Sequence, residues 1–282
     1  MLNALTIDLE DYYQVSAFND SVDYGTWQTR ESRVERNTDK LLQFLHETGQ
    51  SATFFTLGWI AEHYPNLIRK VADQGHEIAC HSLRHRTVYK MTRSEFREDT
   101  LTAKKLLEDC SGTPVRGYRA PSFSITNDSL WALEILAELG FAFDSSIFPV
   151  KHAHYGIISS PRSPYRVDTP SGPLVEFPMT TLEFIGLRSP IAGGAYFRIL
   201  PYWYTRWAIN FLNHKENRPV CVYLHPWEID PEQPRMDGKM SARLRHYIGL
   251  GSAPRKFQRL LRDFRFCNLG LLASRYSDAA PS

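Results

Sequence analysis

The sequence predicts an α/β fold in which parallel strands alternate with helices and curl into a closed or nearly closed (β/α) barrel. Three observations carry this. Short apolar, β-prone runs alternate with amphipathic helical patterns through the first two-thirds of the 282-residue chain. Repeated strand–helix units imply parallel strands. Asp8, His81, Arg119, Asp144 and His225 each fall at or just after the end of a predicted strand, the end at which such barrels carry their chemistry.

The elements follow in order. Residues 4–7 (Ala-Leu-Thr-Ile) form a strand ending at Asp8. Residues 38–48 place Leu41, Leu42 and Leu45 on one helical face, and Gly49 stops the helix. Residues 52–57 are the next strand. A helix over 65–74 opens on Pro65 and closes at Gly75, the usual asymmetry of helix ends. Residues 77–79 form a brief strand, 94–110 an amphipathic helix, 117–119 a fourth strand, 127–140 a helix and 141–143 a fifth strand. Later, 204–212 reads as a helix and 219–224 as a β-branched strand ending at His225. Residues 151–190, rich in Pro, Ser and Gly, are expected to wander over the surface. Residues 236–255 are expected to be irregular, and 256–266 to form a helix and a closing strand. Residues near Ser282 read as a frayed tail. There is no internal repeat, low-complexity tract or Gly-rich phosphate loop.

Composition excludes several classes. With 43% hydrophobic and 23% charged residues, the chain is globular rather than disordered. A net charge of +2, from 33 Lys+Arg against 31 Asp+Glu, makes no case for nucleic acid. No apolar run approaches the ~20 residues that span a bilayer. The N-terminus lacks a positive n-region, so the cytoplasm is the expected compartment. Cys80, Cys110, Cys221 and Cys267 form no Cys-x-x-Cys pair, which argues for buried free thiols rather than disulfides or a thiolate zinc site.

His81 and His85 stand at i and i+4. If the segment turns helically, both imidazoles face one side and suit a divalent metal; otherwise they are two unrelated surface histidines. Asp8, Glu10 and Asp11 gather three carboxylates behind a buried strand. Such a cluster wants a cation or an arginine, unless it is a solvated acidic turn. One carboxylate could complete a His-His-carboxylate site and another remain as general base. Strand alternation puts Asp8 and Glu10 on one face and Leu9 on the other. Arg119, beside Pro121, could hold a carboxylate bidentately and keep it ionised, or be an ordinary surface arginine. His225 is a titratable group at the mouth of a strand, or else a capping or core histidine. Beyond these clusters and His76, the histidines His46, His63, His152, His154, His214 and His246 read as structural or surface residues, although His152 and His154 could line a pocket.

Taken in order, Thr6-Ile7-Asp8, Ala52-Thr53-Phe54-Phe55, Gly75-His76-Glu77-Ile78, His81-x-x-x-His85, Arg119-x-Pro121, Asp144 and Leu224-His225 resemble the NodB-type polysaccharide deacetylases, the fourth carbohydrate esterase family. Tyr196-Phe197-Arg198-x-Leu200-Pro201-Tyr202, His225-Pro226-Trp227-Glu228-x-Asp230-Pro231 and Arg245-His246-Tyr247-x-Gly249-Leu250-Gly251 are similar to the branch associated with exosortase (PEP-CTERM) exopolysaccharide loci. The resemblance implies a distorted, incomplete (β/α) barrel in one catalytic domain over 1–282, with 3–230 as the NodB-like core and 231–282 as an extension closing the barrel. It implies one divalent metal, usually zinc, with cobalt, nickel or iron as alternatives. The implied reaction is hydrolysis of N-acetyl groups on an amino-sugar polymer or oligosaccharide, either exopolysaccharide or a lipid-linked precursor.

By the same resemblance His81 and His85 are metal ligands and Asp8 is the general base, held by Arg119. His225 is the general acid, oriented by Asp144, and a backbone N–H near Ser122 stabilises the oxyanion. Most relatives carry a second aspartate next to the first; here Leu9 occupies that place. Glu10 is the replacement ligand by alternation, or Asp11 if the chain bulges. The tryptophan relatives often carry near the Asp144 motif is absent, which leaves the acetyl-methyl pocket unassigned. Two other readings remain: a related metal amidohydrolase acting on a small amide, and a catalytically silent glycan-binding protein. The aromatic cluster Tyr202, Trp203, Tyr204 and Trp207 suits sugar stacking in the latter, although such residues more often belong to the core.

Overall fold

The computed structural model describes residues 1–152, 155–191 and 193–277; His154 and the terminal residues around Ser282 lie outside them. One mixed sheet organises the chain. Its strands are β1 (Leu2–Leu9), β2 (Thr53–Thr56), β3 (Glu77–Cys80), β4 (Gly117–Tyr118), β5 (Phe143–Asp144), β6 (Tyr165–Thr169), β7 (Gly172–Glu176), β10 (Cys221–Leu224) and β11 (Arg265–Cys267). A separate hairpin is made by β8 (Thr181–Phe184) and β9 (Leu187–Pro190). The spatial order is β10-β1-β2-β3-β4-β5-β7-β6, with β11 also on β1. Every main-sheet pairing is parallel except that of β6 with β7.

Period-two alternation divides the strands between two cores. Leu5, Ile7, Leu9, Phe54 and Ile78 face the surrounding helices. Ala4, Phe55, Ala79, Phe143, Val175, Cys221 and Tyr223 fill the barrel interior. The helices are α1 (Val34–Thr48), α2 (Gly58–His63), α3 (Pro65–Asp73), α4 (Arg93–Ser111), α5 (Trp131–Glu138), α6 (Gly194–Ile199), α7 (Tyr202–His214), α8 (Met240–Tyr247), α9 (Ala253–Asp263) and α10 (Leu269–Ala273). Their ends follow local chemistry. A Thr92/Glu95 capping box opens α4 and a left-handed Gly112 closes it.

The sheet ends on β6 and β10, and among the described residues no strand pairing closes the barrel between them. Thr180 spans the seam with its side chain: Oγ1 accepts from Cys221 N at 2.7 Å and donates to Cys221 O at 3.0 Å. Gly193 makes an isolated bridge to Tyr223. Its φ is +150°, and a Cβ there would fall 2.0 Å from the Tyr223 ring, so only glycine permits this approach. β11 pairs with Leu2–Ala4 of β1.

Two expectations are corrected. Residues 151–190 contain β6, β7, β8 and β9, and β7 joins the main sheet. Their half-exposed alternation around the Pro170-Ser171-Gly172 turn is shorter than the runs that mark buried strands. Residues 236–255 contain α8 and the start of α9. Met240 and Leu244 are largely exposed, so α8 carries little of the apolar stripe that marks a core-facing helix.

Candidate active site

Strand register assembles the site. Ile7 pairs with Leu224, which brings Asp8 and His225 side by side at the C-terminal ends of β1 and β10. Cys80 pairs with Tyr118, and Arg119 N donates to Cys80 O, which aligns His81 with Arg119. Glu10 N turns back onto Asp8 O at 3.0 Å as the strand ends. Asp8 and Glu10 thus share a face, while Leu9 is fully buried with the helix-side core.

Glu10, His81 and His85 offer one ligand atom each, all within 4.8 Å of one another, and all three residues are buried. His81 Nδ1 donates to Arg119 O at 2.8 Å, which leaves Nε2 with its lone pair. Burial holds His81 down to about 3, so it is a neutral imidazole. His85 Nδ1 lies 3.3 Å from Ser16 Oγ, which accepts from Ser122 Oγ at 2.7 Å. His85 Nε2 sits 3.0 Å from Glu10 Oε2. That oxygen is buried without a hydrogen-bond partner. Burial would raise the Glu10 carboxyl, but the imidazoles of His85, His225 and His81 outweigh it and hold it low.

No helical turn joins the two histidines. Ser82 (φ 66°) and His85 (φ 54°) are both left-handed, and a loop brings the rings to 5.4 Å between centroids. Ser82 Oγ accepts from His85 N at 3.0 Å and fixes that loop. Strained backbone of this kind concentrates at functional sites.

Asp8 is held on one side of this cluster. Arg119 Nη1 donates to Asp8 Oδ1 at 2.6 Å and to Thr6 Oγ1 at 2.9 Å. Its other nitrogens donate to Ser145 O and Oγ, and the guanidinium carbon lies 4.1 Å over the Phe55 ring. Arg119 is fully buried, so its charge is positioned by these contacts rather than screened by water. His225 closes the other side, with Nε2 3.5 Å from Glu10 Oε1 and 3.9 Å from Asp8 Oδ2. Its Nδ1 donates to Glu228 Oε2 at 3.0 Å, and Glu228 Oε1 accepts from Arg198 Nε at 2.6 Å. Burial would lower His225, but Glu228 first, then Glu10 and Asp8, push it up to about 9. The His225 ring stacks on Trp227, which stacks on His246.

Residues 18–143 match the family model described as polysaccharide deacetylase. That stretch is similar to the polysaccharide deacetylases over a little under half of the chain. Residues 145–273 of this deacetylase-like chain match a second model, described as a domain of unknown function (DUF3473). A peptidoglycan-N-acetylglucosamine deacetylase of Bacillus cereus is 33% identical over 98 residues, 34% of this chain and 36% of that protein. The match thus spans little more than a third of that relative's length. A solved putative polysaccharide deacetylase from Mycobacterium smegmatis shares the fold at a TM-score of 0.64, with 20% identity over 97% of this chain and 88% of that one. An allantoinase shares it equally well, at 0.64 with 16% identity over 99% and 91%. The shared fold therefore does not by itself choose a substrate.

Two residues expected at the site lie elsewhere. The Asp11 carboxylate accepts from Tyr12 N, Ser32 Oγ, Arg33 N and Val34 N at 2.7–3.1 Å, so it anchors the start of α1. The chain does not bulge to bring it to the histidines. Asp144 does not orient His225. Its carboxylate accepts from Ser146 Oγ at 2.6 Å and Ser146 N at 3.1 Å and lies against Glu176. Burial raises both carboxyls above their ordinary range. Ser146 Oγ in turn accepts from Ala120 N at 2.7 Å, so this strand end supports the Arg119 loop.

Glu228 takes the place beside His225, and sequence reasoning missed it along with Arg198, Trp227 and His246. A signal was present in His225-Pro226-Trp227-Glu228, where the i, i+3 spacing lets the carboxylate reach back to the His225 N–H in a capping box.

Proposed function

We propose that this chain hydrolyses N-acetyl groups from amino sugars of a bacterial exopolysaccharide or its lipid-linked precursor, at a metal held by His81, His85 and Glu10. One observation carries the reading: these three ligand atoms converge between an arginine-held carboxylate, Asp8, and a carboxylate-held imidazole, His225. The residues fit a divalent cation. His85 Nε2 and Glu10 Oε2 stand 3.0 Å apart, and Glu10 Oε2 is buried without a hydrogen-bond partner, an orphaned oxygen that a cation among the three ligand atoms would satisfy. Two imidazoles and a carboxylate with an open side suit zinc first, then cobalt, nickel or iron. Such an ion would polarise the acetamide carbonyl and make water more acidic.

The chain's own groups do the rest. Asp8, its Oδ1 fixed by Arg119, takes the proton of the attacking water at Oδ2. His225 gives its Nε2 proton to the departing nitrogen as the C–N bond breaks, because an amide anion leaves poorly; acetate and a free amine result. The Phe123 and Ser124 N–H groups are committed to the carbonyls of Ala120 and Pro121, so the oxyanion donor narrows to Ser122 N–H. Ser122 and Phe123, both at φ 54°, turn the chain there. The N-acetylated-glycan reading is supported by the deacetylase relative, and the exopolysaccharide reading by the motifs around Arg198, Trp227 and His246. None of the helices among the described residues is long and apolar enough to cross a membrane.

The test needs two readouts. Elemental analysis of wild type and His81→Ala/His85→Ala should find about one metal per chain and little, respectively. Acetate release should occur from N-acetylchitooligosaccharides, with no turnover of allantoin. Equal metal in both proteins would remove the site, and allantoin turnover without acetate release would favour the small-amide reading.

A further inference from the structure

We propose a second glycan-binding site on the outer face of α7 and α9, one that takes N-acetylated segments of the polymer in preference to deacetylated ones. It rests on the reading that the substrate is an N-acetylated glycan. A cavity of about 300 Å³ opens there, lined by Tyr202, Trp203, Arg206, Trp207, Asn210 and Arg259. None of these residues touches the metal cluster. The volume sits at the lower end of the roughly 300–1,000 Å³ range of ligand pockets.

The walls are pre-set. Trp203 and Trp207 stand one helical turn apart on α7 and are 70% and 48% exposed. Between them, the Tyr204 ring packs at 6.0 Å from Trp203 and 5.6 Å from Trp207. Asp263 Oδ2 accepts from Tyr202 Oη at 2.8 Å and pairs with Arg206 Nε at 3.1 Å. Arg259 lies 4.8 Å over the Tyr202 ring. Large exposed indoles held in place around a concavity suit a flat ring with apolar C–H faces, which is what a pyranose offers. A bilayer surface would call for apolar side chains that protrude, and here they line a hollow.

The polar groups narrow the ligand. Guanidinium N–H groups and the Asn210 amide can bond sugar hydroxyls and acetamide carbonyls. Two guanidinium groups stand against one carboxylate, and Asp263 is already engaged by Arg206 and, at 4.0 Å, by Arg259. The hollow is therefore cationic by one charge. A neutral N-acetylated residue meets no penalty there, whereas the ammonium left by deacetylation is repelled. The pocket would hold unreacted polymer and release the product.

The test uses full-length Asp8→Asn protein, so that ligand is not consumed, titrated with N-acetylchitohexaose and with its fully deacetylated form. Indole resonances of Trp203 and Trp207 should shift saturably with the first. Affinity should fall about tenfold or more in Trp203→Ala/Trp207→Ala, and severalfold for the deacetylated hexamer. In the Asp8-containing protein the same pair of substitutions should lower the ratio of polymer to dimer deacetylation. Equal hexamer binding with and without the indoles overturns the proposal, even if acetate is released normally. Indole-dependent hexamer binding without acetate release would instead sink the catalytic reading and leave the pocket standing. Tighter binding of the deacetylated form overturns the charge argument. If the substitutions abolish self-association or binding to anionic vesicles while hexamer binding is unaffected, the face belongs to that other partner.

Discussion

Replacing Glu228 by Gln tests His225, the proposed acid, apart from the rest of the site. Glu228 accepts from His225 Nδ1 at 3.0 Å and from Arg198 Nε at 2.6 Å, and both the Glu228 and Arg198 side chains are 2% exposed. Gln offers one oxygen to these two donors and carries no charge. A hydrogen bond to a charged group is worth ~1.5–3 kcal/mol, or about 1–2 pKa units. The His225 imidazolium, at about 9 with Glu228 present, would then titrate at about 7–8. At pH 8.5 its protonated fraction drops from roughly three-quarters to between roughly a quarter and 3%. The expected loss in kcat/KM is thus ~3- to 25-fold at pH 8.5 and almost none at pH 6. A cation at Glu10 lowers the alkaline limb of both proteins but leaves the difference, because Glu228 sits on the far ring nitrogen. The assay is acetate release from pH 6 to 9.5, with melting temperature measured alongside because Arg198 loses its anionic partner. A loss of equal size at every pH would refute the role of Glu228.

Three further outcomes follow from the geometry. Leu9→Asp, which restores the second aspartate of the relatives, buries an unpaired carboxyl among the helix-side apolar residues. It should cost ~3–5 kcal/mol in chemical denaturation and add no metal; wild-type stability would mean the strand register is wrong. Asp11→Ala strands the N–H groups at the start of α1 and should cost ~2 kcal/mol with metal content unchanged, whereas metal loss at normal stability would make it a ligand. His246, held by burial at about 3, lies below its unfolded value of roughly 6.5, so the folded state resists its proton. Its stabilising contribution is complete above that unfolded value and declines as pH falls towards 3. His246→Gln should flatten the loss of stability by up to ~1.4 kcal/mol per pH unit between pH 6 and 4, and parallel urea curves for the two proteins would exclude this.

What the sequence disclosed followed from local rules. Parallel strands with runs such as Thr53-Phe54-Phe55-Thr56 are buried on both faces and read as continuous apolar segments, so the barrel strands were legible. Asp8, His81, Arg119 and His225 were legible because a strand end is both a pattern boundary and the place where side chains converge. Alternation also favoured Glu10 over Asp11. The edge hairpins escaped because half-exposed strands with Pro and Gly at their turns resemble loops. The His81–His85 loop escaped because left-handed Ser82 and His85 have no compositional mark. Arg198 escaped for another reason: it lies 30 residues from Glu228, and only packing brings them together.

The displacement of Asp144 by Glu228 explains how two separately matched stretches make one site. The deacetylase match at 18–143 contains His81, His85 and Arg119, and the match at 145–273 contains His225, Glu228, Arg198 and His246. β1 precedes both and joins them, because it pairs with β2 on one side and β10 on the other. At Nδ1 of His225 the fixing groups are local to the second stretch: Glu228 three residues on, Arg198 behind it, and the backbone carbonyls of Arg245, His246 and Ile248 behind Arg198. With His225 Nδ1 held from within its own stretch, the end of β5 is left to support Asp8. Asp144 fixes Ser146, Ser146 fixes Ala120 N, and Ser145 holds the Arg119 guanidinium against Asp8. Asp144 therefore lies on the Asp8 side of the cluster, and an Asp144→Asn change should disturb the Arg119–Asp8 pair before it disturbs His225.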